Sequence, residues 1–568
     1  MKILRVNMSD LKTVLEELPE EWKILGGRGL SAKILKAEMP PEADPLGEQA
    51  RLIIAGGPLA GTLAPSCGRV SVGAKSPLTL GIKESNSGGP AAQKLDRLGI
   101  RAIIVEGAPK EDEFFLLHIT KDGVTLESAG QYKGLKNYAL VGELYQAYDK
   151  GSAIISIGIA GERRWKGSSV AFTDMDGHPS RHAGRGGLGA VMGVKGLKAI
   201  VIDDHGSSPI ELADREAFRE AIKGWPEVIK ADARVQIMSR YGTTDAIAAM
   251  RSIGTAPSKN YSSEQTEDYE NLAGSTWEKT NQDRGGRITG CMPGCIVRCS
   301  VVYHDSDSKH LTTALEYETI ALLGTNLGIN DPDVVAAFDR MCDDMGLDTI
   351  ELGSAMGVAA SAGKMEMGDA ESALALFNEV EKGTALGAIL GNGVVSTAKA
   401  LGVTRIPAFK GQAIPAHDPR VTKATGVTYH TSPMGADHTA GVSYENFKSK
   451  EGQVERSLKV QIRNATMDSL GYCLLAVPED HKALLIFLTD LVKARYGLSL
   501  KVGDLIDIGR ETLRTELEFN QGTEFHTAHG PDPEFVRTEP LAPIGNVFDV
   551  DPDEIAAIWD RLDTIQLF

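Results

Sequence analysis

Across residues 1–205 the apolar positions come in short β-branched runs, each closed by Gly, Pro, Asn or Asp. Such runs predict strands, here at Ile3–Val6, Arg51–Ala55, Arg69–Lys75, Arg101–Glu106, Phe114–Ile119, Ala153–Gly158, Ser169–Thr173 and Ala199–Ile202. Helical stretches at Ser31–Lys36 and Tyr138–Tyr148 interrupt them. After His205-Gly-Ser-Ser-Pro209 the apolar period becomes helical and strands nearly vanish. Asp331-Pro332 and Asp551-Pro552 each set a capping carboxylate before a proline suited to a first helical turn. Leu484–Tyr496 reads as an apolar helix stopped by Gly497. Leu401–Thr431, with Pro407, Pro415 and Pro419, reads as a loop-rich connection. The chain shows no repeat of solenoid period and no low-complexity tract. The expected fold class is α+β: a sheet-rich domain over 1–205, then mainly α-helical domains over 206–400 and 401–568.

The length of 568 residues allows roughly two to four domains. A net charge of −17 argues against a nucleic-acid partner, which needs a basic face. It favours a positively charged docking partner. The opening Met1-Lys-Ile-Leu-Arg-Val-Asn7 has no apolar signal core, and no apolar run approaches about 18 residues. A cytoplasmic chain without a membrane span is expected.

Three of the six cysteines, Cys291, Cys295 and Cys299, stand in one loop with Pro293 and Gly294. Thiolates gathered so closely suit a metal better than disulfides, and imply a reducing compartment. With Cys473 as a distant fourth ligand they would hold an iron–sulfur cluster. Zinc is the rival, but Cys-x₃-Cys-x₃-Cys without a nearby fourth ligand fits zinc ribbons poorly. Three buried, inert thiols is the blander alternative. Cys67 and Cys342 are spare, and Cys342 reads as core.

Four Gly/Arg segments recur along the sheet domain: Gly26-Gly-Arg-Gly29, Gly68-Arg69, Ser85-Asn-Ser-Gly-Gly89 and Arg181-His-Ala-Gly-Arg-Gly-Gly-Leu-Gly189. Backbone amides beside glycine, together with arginines, suit phosphate. Any one loop is explained by ordinary turn glycines; all four suggest a large phosphate-bearing cofactor held from several sides. Gly184, Gly186 and Gly189 match the dinucleotide pattern, but the preceding Asp174–His182 reads as no strand, which that pattern requires. Two hexapeptides in the helical part are related, Asp343-Asp-Met-Gly-Leu-Asp348 and Asp468-Ser-Leu-Gly-Tyr-Cys473. Each reads as a helix end with a glycine cap. Their aspartates could accept N–H groups of a heterocycle.

These pieces occur in order with Gly57-Pro-Leu-Ala-Gly61, Lys75-Ser-Pro-Leu78, Val191-Met-Gly193, Glu316-Tyr-Glu-Thr319 and Gly435-Ala-Asp-His438. The ordered set resembles the aldehyde ferredoxin oxidoreductase family over essentially the whole chain. That family comprises tungsten enzymes with a bis-pyranopterin cofactor beside a [4Fe-4S] cluster. The resemblance implies that the sheet domain is a pterin-binding base closed by the two helical domains. It places Arg69, Asn86, Gly88, Arg181, His182 and Ala183 at the pterin phosphates and their bridging Mg²⁺. It places Asp343 and Asp348 at one pterin, Asp468 and Tyr472 at the other, and Cys291, Cys295, Cys299 and Cys473 at the cluster.

It also places Glu318 and His438 near the metal as an acid–base pair. Glu316 stands about 200° away round a helix, so only one of the two glutamates can face the site. Without the family, a surface glutamate and a hydrogen-bonded core histidine would be the simpler reading. Three features depart from the family pattern. The first cysteine gap is one residue longer than the family's Cys-x₂-Cys-x₃-Cys. His417 stands where a tyrosine is common and would add a second histidine to the substrate pocket. The absence of histidine between His310 and His417 does not support the metal bridge that some members build at a dimer interface, although a homo-oligomer stays open.

The expected activity is oxidation of an aldehyde to a carboxylic acid at tungsten or molybdenum. Electrons would pass through the cluster to ferredoxin or another small redox protein, and Glu318 or His438 would accept a proton as an oxygen nucleophile attacks the carbonyl carbon. The alternatives are a low-potential reductase of aromatic thioesters on the same scaffold, a non-catalytic cofactor or cluster carrier, and an NAD-dependent dehydrogenase without iron.

Overall fold

The computed structural model describes residues 1–262, 264–542 and 545–568. Two six-stranded sheets of one topology form the N-terminal part. The first has the order Lys12–Glu17, Lys2–Asn7, Ile100–Glu106, Leu52–Gly56, Val70–Lys75, Ile82–Ser87. The second has the order Gly123–Ser128, Phe115–Thr120, Leu197–Ile202, Ala153–Ser156, Val170–Phe172, Arg181–Ala183. In both, the second and third strands pair in parallel and every other neighbour is antiparallel. Helices fall at matching points, Gly27–Glu38 with Asn137–Ala147 and Ala91–Arg97 with Leu188–Val194. The N-terminal part is therefore a duplicated unit. Register makes the match residue by residue: Ser71 pairs with Asn86 in one half and Ala171 with His182 in the other.

One apolar core fills these sheets, with Leu52–Ala55, Ala102–Val105 and Ala199–Ile202 at its centre, and takes in Phe519 from the helical part. A second core runs through the helices on both sides of residue 400. Each half of the sheet part carries the end of one helix. Pro332–Met345 ends at Gly346 and Gln453–Leu470 at Gly471, both left-handed at φ 76° and 67°. Ser169 N–H donates to Gly346 O at 2.9 Å, and Arg69 N–H to Gly471 O at 3.1 Å. Gly346 and Gly471 lie so close to Gly158 and Gly57 that a Cβ on either would come within 2.9 Å of the facing backbone.

The predicted cores of the strands and both named helices are present, with ends moved by a few residues. Asp331 and Asp551 cap their helices through side-chain acceptors, and Gly497 ends His481–Tyr496 in the left-handed region. Four strands of the sheet part differ from expectation. Lys12–Glu17 and Gly123–Ser128, not among the expected strands, are solvent-facing strands at the sheet edges. Ile82–Ser87 is polar because its side chains line the interior site. Arg181–Ala183 corrects the reading that no strand precedes the Gly184-Arg-Gly186 pattern. It is a three-residue antiparallel strand at the edge of its sheet, so the parallel βαβ unit of a dinucleotide fold is still not formed there.

The helical part also holds more strand than expected. Arg287–Thr289, Ser300–His304 and His310–Thr313 form an antiparallel sheet, and its first connection is the cysteine loop. The presumed loop 401–431 contains a small hairpin, Ala408–Phe409 with Gln412–Ala413, and the helix Lys423–Thr431. Residues 411–429 are buried throughout, unlike an ordinary surface loop.

The two left-handed glycines yield a direct test. Gly346→Ala or Gly471→Ala meets both an unfavourable φ and the facing backbone, and is expected to destabilise by about 2–5 kcal/mol. A lowered urea midpoint checks it, with Gly402→Ala, where a Cβ meets open space, losing only the φ contribution.

Candidate active site

The site lies where the two halves of the sheet part meet beneath the two helix ends. Asn86 Nδ2 donates to Asp468 Oδ1 at 3.1 Å. At the equivalent point of the second half, His182 Nε2 stands 3.1 Å from Asp343 Oδ1. In both aspartates the second carboxyl oxygen, Oδ2, is buried without a hydrogen-bond partner among the described residues. Arg28 Nη1 and both Glu84 carboxyl oxygens are likewise buried and unpartnered, with Arg28 Nη1 3.6 Å from Asp468 Oδ2. Burial pushes the Asp343, Asp468 and Glu84 carboxyls above their usual range, and Arg28 opposes this at Asp468 and Glu84. Buried polar groups are rarely left unpaired, so this doubled set of free acceptors marks a ligand cradle rather than a packing defect.

Other predicted residues frame the cradle. Arg69 donates to Asn86 Oδ1 at 2.6 Å and to Asn86 O at 2.9 Å. Arg181 donates to Ser300 Oγ at 3.2 Å and Glu316 Oε1 at 3.1 Å. Ala183 is buried at the end of its strand. A Cβ on Gly88 would lie 3.1 Å from Cys291 Sγ, and Gly89 N–H donates to Cys291 O at 2.8 Å. Asp348 is already engaged, capping the next helix through Ile350 N–H at 2.9 Å and accepting from Arg185 at 3.3 Å. The Tyr472 hydroxyl is engaged too, donating to Ala476 O at 2.8 Å and accepting from Trp225 Nε1 at 3.4 Å. Tyr472 thus has only its backbone to offer a ligand in the cradle.

The cysteines gather at one edge. Cys291, Cys299 and Cys473 are buried, and Cys295 is partly exposed. Ser66 stitches the distant cysteine to the loop: Cys473 N–H donates to Ser66 O at 2.9 Å, and Ser66 N–H to Gly294 O at 3.0 Å. The hydrogen bond with Cys295, helped by Arg181 and Arg69 and opposed by burial, lowers the Cys291 thiol to about 6. Cys295, Cys299 and Cys473 are raised. Among the described residues no three cysteine sulfurs lie within 4.8 Å of one another. A tetrahedral zinc with bonds of about 2.3 Å would hold its sulfurs about 3.8 Å apart, so the set fits a larger cluster better than one zinc ion. Cys342 is fully buried in its helix, as expected. Cys67, also buried, lies beside Cys473.

A second polar group gathers around Glu318. Glu318 lies in the turn Tyr317–Thr319, followed by a π-helical turn over Ile320–Gly324, a feature frequent at functional sites. Its Oε1 is 3.1 Å from His417 Nε2 and 3.6 Å from His438 Nε2, and its Oε2 accepts from Ala416 N–H at 2.8 Å. Burial would raise the Glu318 carboxyl, but His438, His417 and the Ala416 N–H outweigh it and hold it at about 2. Burial lowers His438. Glu316 faces the other way, on Arg181.

Sequence reasoning passed over several residues here. Arg28 and Arg185 lay inside the Gly/Arg segments but were given no role of their own. Arg185 donates to Ala436 O at 2.7 Å and Ala413 O at 2.8 Å, tying the 411–429 segment to the cradle. Glu84 stood beside a noticed loop, and Lys83 pairs with Asp437 in the buried wall. Tyr444, which hydrogen-bonds His417, carried no local signal.

Residues 3–204 match the family model for the aldehyde ferredoxin oxidoreductase N-terminal domain, and residues 220–553 the model for its domains 2 and 3. The chain belongs to the aldehyde ferredoxin oxidoreductase family. It is 32% identical over 561 residues to the "Tungsten-containing aldehyde ferredoxin oxidoreductase" of Pyrococcus abyssi, covering 91% of this chain and 88% of that one. It is 28% identical over 487 residues to the "Aliphatic sulfonate oxidoreductase, WOR-like subunit" of Pyrococcus furiosus, covering 77% and 74%. Its fold matches a chain of the "Active site complex BamBC of Benzoyl Coenzyme A reductase in complex with 1,5 Dienoyl-CoA" at TM-score 0.80 and 19% identity, over 100% of this chain and 94% of that one.

As a member of the aldehyde ferredoxin oxidoreductase family the protein is an oxidoreductase. The family implies a tungsten–pterin cofactor and an iron–sulfur cluster, and the free acceptors of Asp343 and Asp468 and the thiol set fit such groups. No helix among the described residues is long and apolar enough to cross a membrane.

Two outcomes are expected. Cys291→Ser and Cys473→Ser should each lower iron per chain, while Cys342→Ser keeps it, as read by elemental analysis. The second concerns acid stability. Burial lowers His182 to about 4, against about 6.5 unfolded. The unfolded chain therefore binds a proton that the folded chain refuses, and stability falls as pH drops from about 6.5 to about 4, by up to about 3 kcal/mol. Urea midpoints across that range should flatten in His182→Gln.

Proposed function

We propose that the protein oxidises an aldehyde to a carboxylic acid, RCHO + H₂O → RCOOH + 2e⁻ + 2H⁺. The observation that carries this reading is the convergence of Glu318, His417 and His438, polar atoms within 4.8 Å, beside the doubled acceptor cradle. Tungsten, or molybdenum, in a bis-pyranopterin supplies two-electron redox chemistry when bound, and a [4Fe-4S] cluster supplies single-electron transfer to ferredoxin or another small redox protein.

The chain's own residues take the remaining roles. Asp343 and Asp468, whose Oδ2 atoms are free, would accept N–H groups of the pterins. Asp348 orients Arg185, and Tyr472 contributes backbone. Arg69, Asn86, Gly88, Arg181, His182 and Ala183 would hold the phosphate ends with a Mg²⁺. Cys291, Cys295, Cys299 and Cys473 would hold the cluster. Glu318, ionised down to about 2, is the base that takes a proton at Oε1 from the attacking water. His438, kept neutral by burial and with an unpartnered Nδ1, orients the carbonyl. Glu316 is a positioning residue for Arg181. A cytoplasmic location and a homo-oligomer belong to the same proposal.

The fold shared with benzoyl-CoA reductase supports a second reading, low-potential reduction of an aromatic thioester. The whole-length similarity to aldehyde-oxidising relatives favours the first. Purified protein is expected to carry about four iron and about one tungsten per chain, and zinc alone or no metal would sink both. An aldehyde panel with a viologen acceptor then separates oxidation from thioester reduction. Glu318→Gln should lower kcat about 10²–10⁴-fold with metal content unchanged; a non-catalytic carrier would show no turnover in either form.

A further inference from the structure

The two halves of the sheet part share a register but not their charges. Register equates Ser71 and Asn86 with Ala171 and His182. The bond from Arg69 N–H to Gly471 O has its counterpart from Ser169 N–H to Gly346 O. The same equivalence holds where the first helix of each half begins. Gly27 packs so closely on Asp468 O that no Cβ fits, and Asn137 Nδ2 donates to Asp343 O at 2.8 Å. Arg28 and Tyr138, the next residues, therefore occupy equivalent positions beside the two helix ends.

What stands at those positions differs. Arg28 is a fully buried cation whose Nη1 is unpartnered and 3.6 Å from Asp468 Oδ2. Tyr138 has a buried hydroxyl without a partner, and Arg340 covers its ring at 3.3 Å from the centroid. The strands differ in the same way. Alternation puts Glu84 on the strand face that carries Asn86. Glu84 is 2% exposed, and neither of its carboxyl oxygens has a hydrogen-bond partner among the described residues. Two residues before His182 stands Ser180, whose hydroxyl is spent on Asp174 Oδ2 at 2.9 Å. At these positions the Asp468 half offers Asp468 Oδ2, both Glu84 oxygens and a cation. The Asp343 half offers Asp343 Oδ2 and a tyrosine hydroxyl. A buried carboxylate without a partner costs more than an unpaired neutral group. Packing gives no reason to keep one where a serine suffices in the other half, whereas a ligand with N–H donors does.

We propose that Glu84 is a cofactor-binding residue and that the two pterins are held unequally. In the Asp468 half, Glu84 and Asp468 together would accept the N–H groups along one pterin edge, with Arg28 beside them. In the other half Asp343 would do so with only the Tyr138 hydroxyl to help. This rests on the bis-pyranopterin of the function proposed above and not on the aldehyde. The doubly held position adjoins the cysteines. Cys473 follows Asp468 by five residues, and Gly89 N–H, just past the strand that carries Glu84, donates to Cys291 O at 2.8 Å.

The test compares Glu84→Gln with the wild type from two hosts, one that makes pterin and one that makes none. Pterin per chain is read by fluorescence after acid release and oxidation. Glutamine replaces one acceptor with a donor that would face the ligand's own donors. In the loaded protein pterin per chain should fall about tenfold. From the host without pterin, the variant should be at least as stable to urea as the wild type, because it loses a buried charge that had no partner. Tyr138→Phe removes a neutral hydroxyl and should lower pterin only about threefold. Unchanged pterin in Glu84→Gln would overturn the assignment. So would a cofactor-free variant less stable than the cofactor-free wild type, since Glu84 would then be a structural carboxylate. A larger loss in Tyr138→Phe than in Glu84→Gln would overturn the unequal halves. Wild-type protein that carries pterin yet oxidises no aldehyde sinks the proposed reaction and leaves this inference standing; wild-type protein without pterin, from a host that makes it, overturns the cofactor reading and this inference together.

Discussion

Two backbone contacts set the geometry on which the rest depends. Gly346 meets Gly158, and Gly471 meets Gly57, at a separation that excludes even a methyl group. Each pair brings a helix end onto the same point of a duplicated sheet unit. The aspartate three residues before the capping glycine is thereby carried onto the strand that ends its sheet. Asp468 meets Asn86 and Asp343 meets His182, at the same distance and through the same oxygen. Asn86 and His182 share a register position but no side-chain chemistry. What the duplication preserves is a donor at that position and a free carboxyl oxygen beside it.

That free oxygen is costly. A buried polar atom without a partner costs about 1–3 kcal/mol, and the cradle holds two such aspartates with Glu84 and Arg28. Burial pushes the carboxyls towards the neutral form, which softens the penalty without removing it. A ligand bearing N–H groups would satisfy the acceptors and favour the ionised acids. Filling the cradle and stabilising the fold are therefore coupled through the same atoms. Arg28, held by both carboxyl oxygens of Glu516 at 2.8 and 2.7 Å, keeps positive charge beside Asp468 whether or not the cradle is filled.

Much of this is legible in the sequence where one residue type has few uses. Cysteines clustered about Pro293 and Gly294, the paired Asp-x-x-Gly segments and the β-branched strands are of that kind. Cys473, which Ser66 ties to the cysteine loop, stood out because it ends a hexapeptide that has a relative. Gly294 turns the cysteine loop at φ 74°, Gly89 N–H holds Cys291 O, and Cys291 lies beside Cys295. What could not be read has equally physical reasons. Ile82–Ser87 is a largely buried strand of mostly polar residues, because its side chains meet polar partners, Lys83 with Asp437 and Asn86 with Asp468, rather than an apolar core. The duplication is invisible because it conserves backbone requirements, not side chains. Tyr444 meets His417 only through the fold, across a gap of 27 positions.

Glu316 and Glu318 show how a short stretch of chain divides the site. Glu316 is the extended residue that starts the turn, at φ −124° and ψ 167°, so its side chain leaves in a direction unlike that of Glu318 within the turn. One carboxylate is drawn to Arg181, which also lies against Cys291 and Cys299. The other is drawn to His417 and His438. In the proposed reaction the electrons leave past the cysteines and a proton is taken at Glu318. Arg181 and Glu316 neutralise each other on the electron side, while Glu318 keeps its charge among imidazoles on the proton side. Tyr317, between the two glutamates, has its hydroxyl fixed on Ala416 O at 2.6 Å. The arrangement therefore keeps the thiols' positive neighbour and the base's imidazoles apart by backbone geometry, not by distance along the chain.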